Sequence, residues 1–240
     1  MPRWLPLLAA AGFAAPAAAD DLAVGRAKLR ARDNAAAADA FTAALKRDPD
    51  DVAARDGRGD AYLKLGRFAD AARDFDRVLE LRPELAPEHW RRGIALYYAG
   101  RYADGAKQFE THKTANPEDV ENAVWHYLCN AKAADRATAR KQLIAVTRDA
   151  RVPMKEVQRL FAGKATPADV LAAAEAVKAG TDAGTEARFY AHLYVGLFYE
   201  SEGDAKRARE HLTAAVEKYE IGHYMWDVAN AHLRATKKAK

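Results

Sequence analysis

The residues best suited to chemistry in this chain are seven histidines, one cysteine and a single serine. His126 and Cys129 stand three apart, which puts both on one face of a helix. A structural zinc needs four such ligands, and no second His/Cys pair lies close in sequence. His192, His211 and His223 could meet only through folding. A partly buried histidine and a small apolar cysteine account for the first pair, so no metal site is expected. Ser201, the sole serine, sits between Glu200 and Glu202 without the pattern of an activated nucleophile. Neither a phosphate-binding Gly-x-x-x-x-Gly-Lys loop nor Gly-x-Gly-x-x-Gly, His-Glu-x-x-His or Gly-x-Ser-x-Gly occurs. Carboxylates are numerous, and none stands in an otherwise apolar stretch that would raise its pKa. The residues therefore point away from an enzyme and away from any cofactor, an enzyme with an unfamiliar constellation being the weakest alternative.

What the sequence holds instead is a period. Pro49, Pro83 and Pro117 are 34 residues apart, and so are Gly25, Gly59 and Gly93, and Phe41, Phe75 and Phe109. A 34-residue period is that of the tetratricopeptide repeat, a helical hairpin that stacks on its neighbours. Each position has a task. Gly59 and Gly93 let the second helix of the hairpin cross closely over the first. Tyr62 and Leu96 follow on the same helical face. Gly66 and Gly100 suit the left-handed residue that ends a helix. Small residues, Ala71 and Gly105, precede Phe75 and Phe109 by four, and Pro83 and Pro117 stop the second helix.

The expected fold is all-α: tetratricopeptide-type hairpins in a right-handed α-solenoid, with an irregular helical insertion and a C-terminal capping helix. The divisions are a degenerate first repeat (20–51), a second (52–85), a third (86–119), a modified unit with insertion (120–188), a fourth repeat (189–222) and a capping helix with basic tail (223–240). Gly196, Tyr199 and Ala208 keep the repeat spacings in the fourth unit, with Leu212 and Ala215. In the insertion, helices are predicted over 121–133, 137–149, 154–161 and 167–178, with Thr166 and Pro167 as N-cap and first helical residue.

Residues 1–19 have the pattern of a secretory signal peptide: Arg3, an apolar run from Leu5 to Ala15 too short to span a bilayer, Pro16, and Ala17-Ala18-Ala19 before Asp20. Cleavage after Ala19 would remove Arg3 alone and take the formal charge from +4 to +3. The expectation is a soluble, exported protein of the periplasm or cell envelope without stable membrane insertion, or a cytoplasmic one if the segment is not a leader. Charges of both signs are interspersed, which argues against nucleic acid as partner.

Within the third repeat, RGIALYYAGR (Arg92 to Arg101) resembles the NlpI family of bacterial outer-membrane lipoproteins. The segment Trp125 to Leu128, the short Phe161-x-Gly163 helix and the final repeat YVGLFYESEGDAKRAREHLTAAV extend the likeness over roughly residues 52–235. The resemblance implies an envelope adaptor that dimerises and brings proteases and cell-wall hydrolases together. The lipid-bearing cysteine of that family is absent, since Asp20 stands there.

First helices line the concave face of such arrays. The register puts Asp60, Lys64, Trp90, Arg91, Ile94, Tyr97 and Tyr98 on it, with Asp56 and Leu63, and Arg26 and Arg30 from the first unit. Aromatics and arginines anchor protein interfaces, so these residues form the candidate groove for proteins or peptides. Two alternatives stand beside it: the C-terminal helices curl back over the aromatics, or the face is a homodimer surface. Arg26, Arg30, Lys64 and Arg91 could clamp a terminal carboxylate, although Gly57 stands where such clamps use asparagine.

Overall fold

The computed structural model describes residues 16–238, and every regular element among them is a helix. Residues 1–15 of the predicted leader lie outside the described residues. Four hairpins follow the chain: α1 (Pro16–Arg30) with α2 (Asn34–Arg47), α3 (Val52–Lys64) with α4 (Phe68–Leu81), α5 (Trp90–Tyr98) with α6 (Tyr102–His112), and α11 (Asp182–Ser201) with α12 (Ala205–Lys218). Between the third and fourth come α7 (Val120–Ala133), α8 (Arg136–Lys141), α9 (Met154–Phe161) and α10 (Pro167–Glu175). The last helix is α13 (Tyr224–Lys238). Helix pairs pack one after another along the chain as in a tetratricopeptide solenoid.

Local chemistry sets the ends of these helices. Asp33, Asp51, Asp135 and Asp204 each accept a backbone N–H of the first turn. Thr166 and Asp169 cap α10 reciprocally, with Pro167 at its first position. Inside the hairpins, Gly66 and Gly100 take φ of +75° and +78°, a conformation that costs other residues a Cβ clash. Pro83 does more than stop α4. It opens a six-residue 3-10 turn, Pro83–Glu88, that delays α5 until Trp90.

The hairpins close on glycine. A Cβ built on Gly25 would sit 2.6 Å from the Phe41 ring, one on Gly59 2.6 Å from Phe75, and one on Gly93 2.6 Å from Phe109. In the fourth unit Gly196 meets Leu212 in the same way, at 2.7 Å. Each ring or side chain lies 16 residues beyond its glycine. A second ladder at the same separation is polar. Arg58 grips buried Asp74 through two hydrogen bonds of 2.7 Å, and Arg92 donates to Gln108 at 2.9 Å while binding Asp76.

One predicted element differs. The helix expected over 137–149 ends at Lys141, and residues 143–150 run without helical structure. Ile144 and Val146 are buried while Ala145 and Thr147 are exposed, the alternation of an extended strand rather than a helix. Glu118 accepts the backbone N–H groups of Thr147 and Arg148, both at 3.0 Å, and Gln158 donates to Ile144 O. Side chains from the turn before α7 and from α9 thus satisfy backbone groups that a helix would have satisfied itself. Further on, α11 begins at Asp182, two turns before the predicted repeat boundary, with Thr181 as its cap.

Gly93→Ala should destabilise the fold by about 1–3 kcal/mol, the usual cost of overpacking a tight core. Adding Phe109→Leu should make the double variant less destabilised than the sum of the single ones, because the two positions share one contact. Urea unfolding followed by circular dichroism measures both; additive losses would mean that the ring does not set the approach.

Candidate protein-binding groove

Packing brings the candidate residues of α3 and α5 together, and α13 lies against them. Trp90 meets Tyr224 edge-on with ring centroids 4.9 Å apart. The Tyr224 hydroxyl donates to Asp60, which also accepts from Lys64 at 3.1 Å. Lys64 reaches on to Asp227 at 3.8 Å. Tyr98 stacks on Phe68 at 4.3 Å, and its hydroxyl pairs with His232 Nδ1 at 2.9 Å. Ile94 and Tyr97 are core residues, with Tyr97 edge-on to Trp125. The aromatic stretch of α5 is therefore covered within the chain.

The covering helix is firmly seated. Its own Met225, Val228, Ala229, Ala231 and Leu233 are buried. Burial pushes the hydroxyls of Tyr224 and Tyr98 well above the ordinary tyrosine range, so both stay protonated. At its other edge, Arg32 in the α1–α2 turn lies 4.7 Å over the Trp226 ring and pairs with Glu220 at 2.9 Å. The first hairpin and the last helix are joined across the concave side.

The cation group separates. Arg26 and Arg30 are exposed on α1, while Lys64 is taken by Asp60. Arg91 is bound to Asp56 by hydrogen bonds of 2.9 and 2.7 Å. His89 Nε2 lies 3.1 Å from the same carboxylate, close but not aligned as a hydrogen bond. Burial would raise the Asp56 pKa, but the His89 ring and the Arg91 guanidinium outweigh it and hold the carboxyl at about 2.

The other candidates for chemistry are also accounted for. The Cys129 thiol is buried and pushed up by that burial, with its sulfur packed where a Cβ on Gly105 would stand. His126 is lowered by burial and contacts Glu110 and Asn130. His192 and His211 meet at 3.0 Å, and burial takes His192 down to about 4. His223 stands apart from them and pairs with Tyr190. Among the described residues no three His, Cys, Asp or Glu side chains converge as metal ligands. The Ser201 hydroxyl donates to Phe198 O.

Beyond the covered stretch the groove stays open. A cavity of ≈ 580 Å³ lies between α5, α7, the extended segment and the start of α13. Trp90, Ile94 and Trp125 form its apolar wall, and His223 and Met225 close one side. Arg151 crosses it, bonded to Asp119 at 2.7 Å, Glu121 at 2.5 Å and Asp149 at 2.6 Å. Tyr194 donates to the far oxygen of Glu121 at 2.6 Å. Burial, with neighbouring Asp119, raises the Glu121 carboxyl despite Arg151. Two polar atoms of the wall, Trp125 Nε1 and Asn122 Oδ1, are buried without a partner in the chain. Each costs about 1–3 kcal/mol while its hydrogen bond is unmade. Sequence reasoning passed over this network. Its signal is two short pairs, Asp119-x-Glu121 and Asp149-x-Arg151, about 30 residues apart, which only the extended segment brings together.

Residues 22–86 match the family model of the tetratricopeptide repeat. That stretch, α1 to the turn after α4, is built of tetratricopeptide repeats. The fold of the chain is similar to that of a tetratricopeptide repeat protein from Parabacteroides merdae, with a TM-score of 0.57 and 18% identity over 93% of this chain and 86% of that one. It is also similar to PilW, a type IV pilus biogenesis factor, with a TM-score of 0.50 and 17% identity over 90% of this chain and 98% of that one. At these identities the likeness is one of fold. No curated protein matches the chain. Among the described residues no helix is long and apolar enough to cross a membrane.

Asp56 links the groove to pH. Its folded pKa of about 2 lies below the ordinary 3.8, so its contribution to stability is full above 3.8 and is lost as pH falls towards 2. Asp56→Asn should cost about 1 kcal/mol at neutral pH, a figure discounted because the side chain is a third exposed. Urea titrations should show the gap to the parent closing between about pH 4 and pH 2; a gap independent of pH would remove the ion pair as its cause.

Proposed function

We propose that this chain is a non-catalytic scaffold of the bacterial cell envelope that binds other proteins through the open part of its repeat groove. The observation that carries this is the ≈ 580 Å³ cavity between α5, α7 and the start of α13, which joins Trp90 and Trp125 to a cluster of carboxylates. Helical repeats present preformed concave surfaces of this kind, and their rigidity lowers the entropic cost of binding. The cavity combines tryptophan walls with converging polar groups, the usual make-up of an interface anchor pocket.

Location in the envelope rests on residues 1–19, whose charged start, apolar run and Ala-x-Ala end are those of a leader. The resemblance to the NlpI family extends the proposal to the partners, which are envelope proteases or cell-wall hydrolases. The reading that the aromatic face pairs two copies has less support. Trp90 and Tyr98 are engaged by α13, and the large apolar residues exposed among the described ones are only Val24 and Val152.

Two measurements test the proposal. The intact mass of the protein recovered from cells should correspond to a chain beginning at Asp20; an unprocessed chain confined to the cytoplasm would remove the envelope. Crosslinking mass spectrometry in intact cells should enrich one or a few envelope proteins, with crosslinks near the α7 end of the groove. No enrichment over a control would overturn the scaffold.

A further inference from the structure

The cavity has a chemistry more specific than a general interface. Five carboxylates line it, those of Glu88, Glu118, Asp119, Glu121 and Asp149, against the single guanidinium of Arg151. This sign is local, because the whole chain is formally +4. Arg151 answers three of the five, and Glu118 is partly answered by Arg148 from outside. Even with a proton on Glu121, carboxylates outnumber cations along the wall. Glu88 stands exposed at the lip, where it can meet an incoming charge.

A second, independent feature is that two residues lining the cavity each hold a buried polar atom without a partner. Trp125 is 2% exposed and Asn122 3% exposed, and each leaves one polar atom without a partner in the chain. The two atoms are of opposite kinds. Trp125 Nε1–H is a donor only, and Asn122 Oδ1 is an acceptor only. Asn122 is fixed by its own amide, which donates to Phe109 O at 3.2 Å. A ligand that satisfies both must offer a donor and an acceptor together. A peptide with a basic side chain does so: its cation serves Asn122 and the carboxylates, and its carbonyl serves Trp125. The half-buried indole of Trp90 adds aromatic surface on which a guanidinium packs well.

We infer that the cavity between α5, α7 and the start of α13 takes a basic side chain of a partner protein, arginine before lysine, with its adjoining peptide group. This rests on the scaffold reading and names the chemistry of what the scaffold grips. Arg151 is then a positioning residue: it holds Asp119, Glu121 and Asp149 in place without cancelling them.

The test uses the purified full chain, ¹⁵N-labelled, with its Trp125 indole resonance assigned by Trp125→Phe. The probes are acetyl-Ala-Arg-Ala-amide, its citrulline twin of equal shape without charge, and spermidine as a free cation without a peptide group. The arginine peptide should move the Trp125 Nε1–H resonance in a saturable way, and the citrulline twin should bind at least about tenfold more weakly, the loss of one charge-assisted contact. Glu88→Lys should weaken the arginine peptide by a similar factor and leave the thermal midpoint unchanged. No movement of the Trp125 resonance at about 10 mM arginine peptide, tenfold above a weak millimolar constant, overturns the inference. Equal binding of the citrulline twin overturns the charge, and equal binding of spermidine with the same Trp125 shift assigns the cavity to small amines instead. Each of these failures leaves in-cell crosslinks to partner proteins untouched, so the scaffold itself is judged separately.

Discussion

The close approach of a backbone to a phenyl ring governs this molecule. Three times, a glycine on the first helix of a hairpin lies where even a methyl group would meet a phenylalanine 16 residues on. That contact fixes how near the two helices of a hairpin can come, and through it the angle at which one hairpin follows the next. Phe41 shows how the constraint propagates. Gly25 of its own unit and Gly57 of the following one both press on its ring, so one side chain sets the geometry within a repeat and between repeats. The buried Arg58–Asp74 pair at the same separation adds direction to a packing that dispersion alone would leave free to slide.

The concave side then has two fates. Near the first units it is filled by α13, whose Tyr224, Asp227 and His232 meet the acidic, basic and aromatic side chains of α3 and α5. Near α7 it is kept open by a loop that is neither helix nor sheet. The backbone of residues 143–150 is held from outside by Glu118 and Gln158, and Asp149 on it accepts the Val120 N–H. This arrangement draws Arg151 to the carboxylates of α7. Departure from the repeat is thus what creates the site, since a fourth regular hairpin here would have packed the space shut.

How much of this was legible in the sequence follows from the range over which each constraint acts. Gly59 and Phe75, or Gly66 and its turn, are local, and a single period exposes them. The groove register also puts Trp90, Tyr98 and Asp60 on one face, because helical periodicity is local too, and α13 meets all three. What register cannot say is whether a face is covered. The contact that decides it, Tyr224 with Asp60, joins residues 164 apart. Likewise Ile144 and Val146 fit an apolar helix face as readily as a buried strand face, and only the remote side chain of Glu118 settles the backbone. The Arg151 network depends on that outcome and so was beyond sequence reasoning twice over.

Arg32 on Glu220 and Trp226 carries a consequence for how the chain folds. An open repeat array is nearly one-dimensional: units form in any order, and the ends fray first. Here the turn of the first hairpin is tied to a segment 188 residues later. Contacts at such separation are slow to find, because the entropy of closing the long loop is lost before they form. They also make the terminal units share the stability of the middle ones. The array then melts as a ring, with the α1–α2 turn and α13 opening together, rather than peeling from its C-terminus one helix at a time.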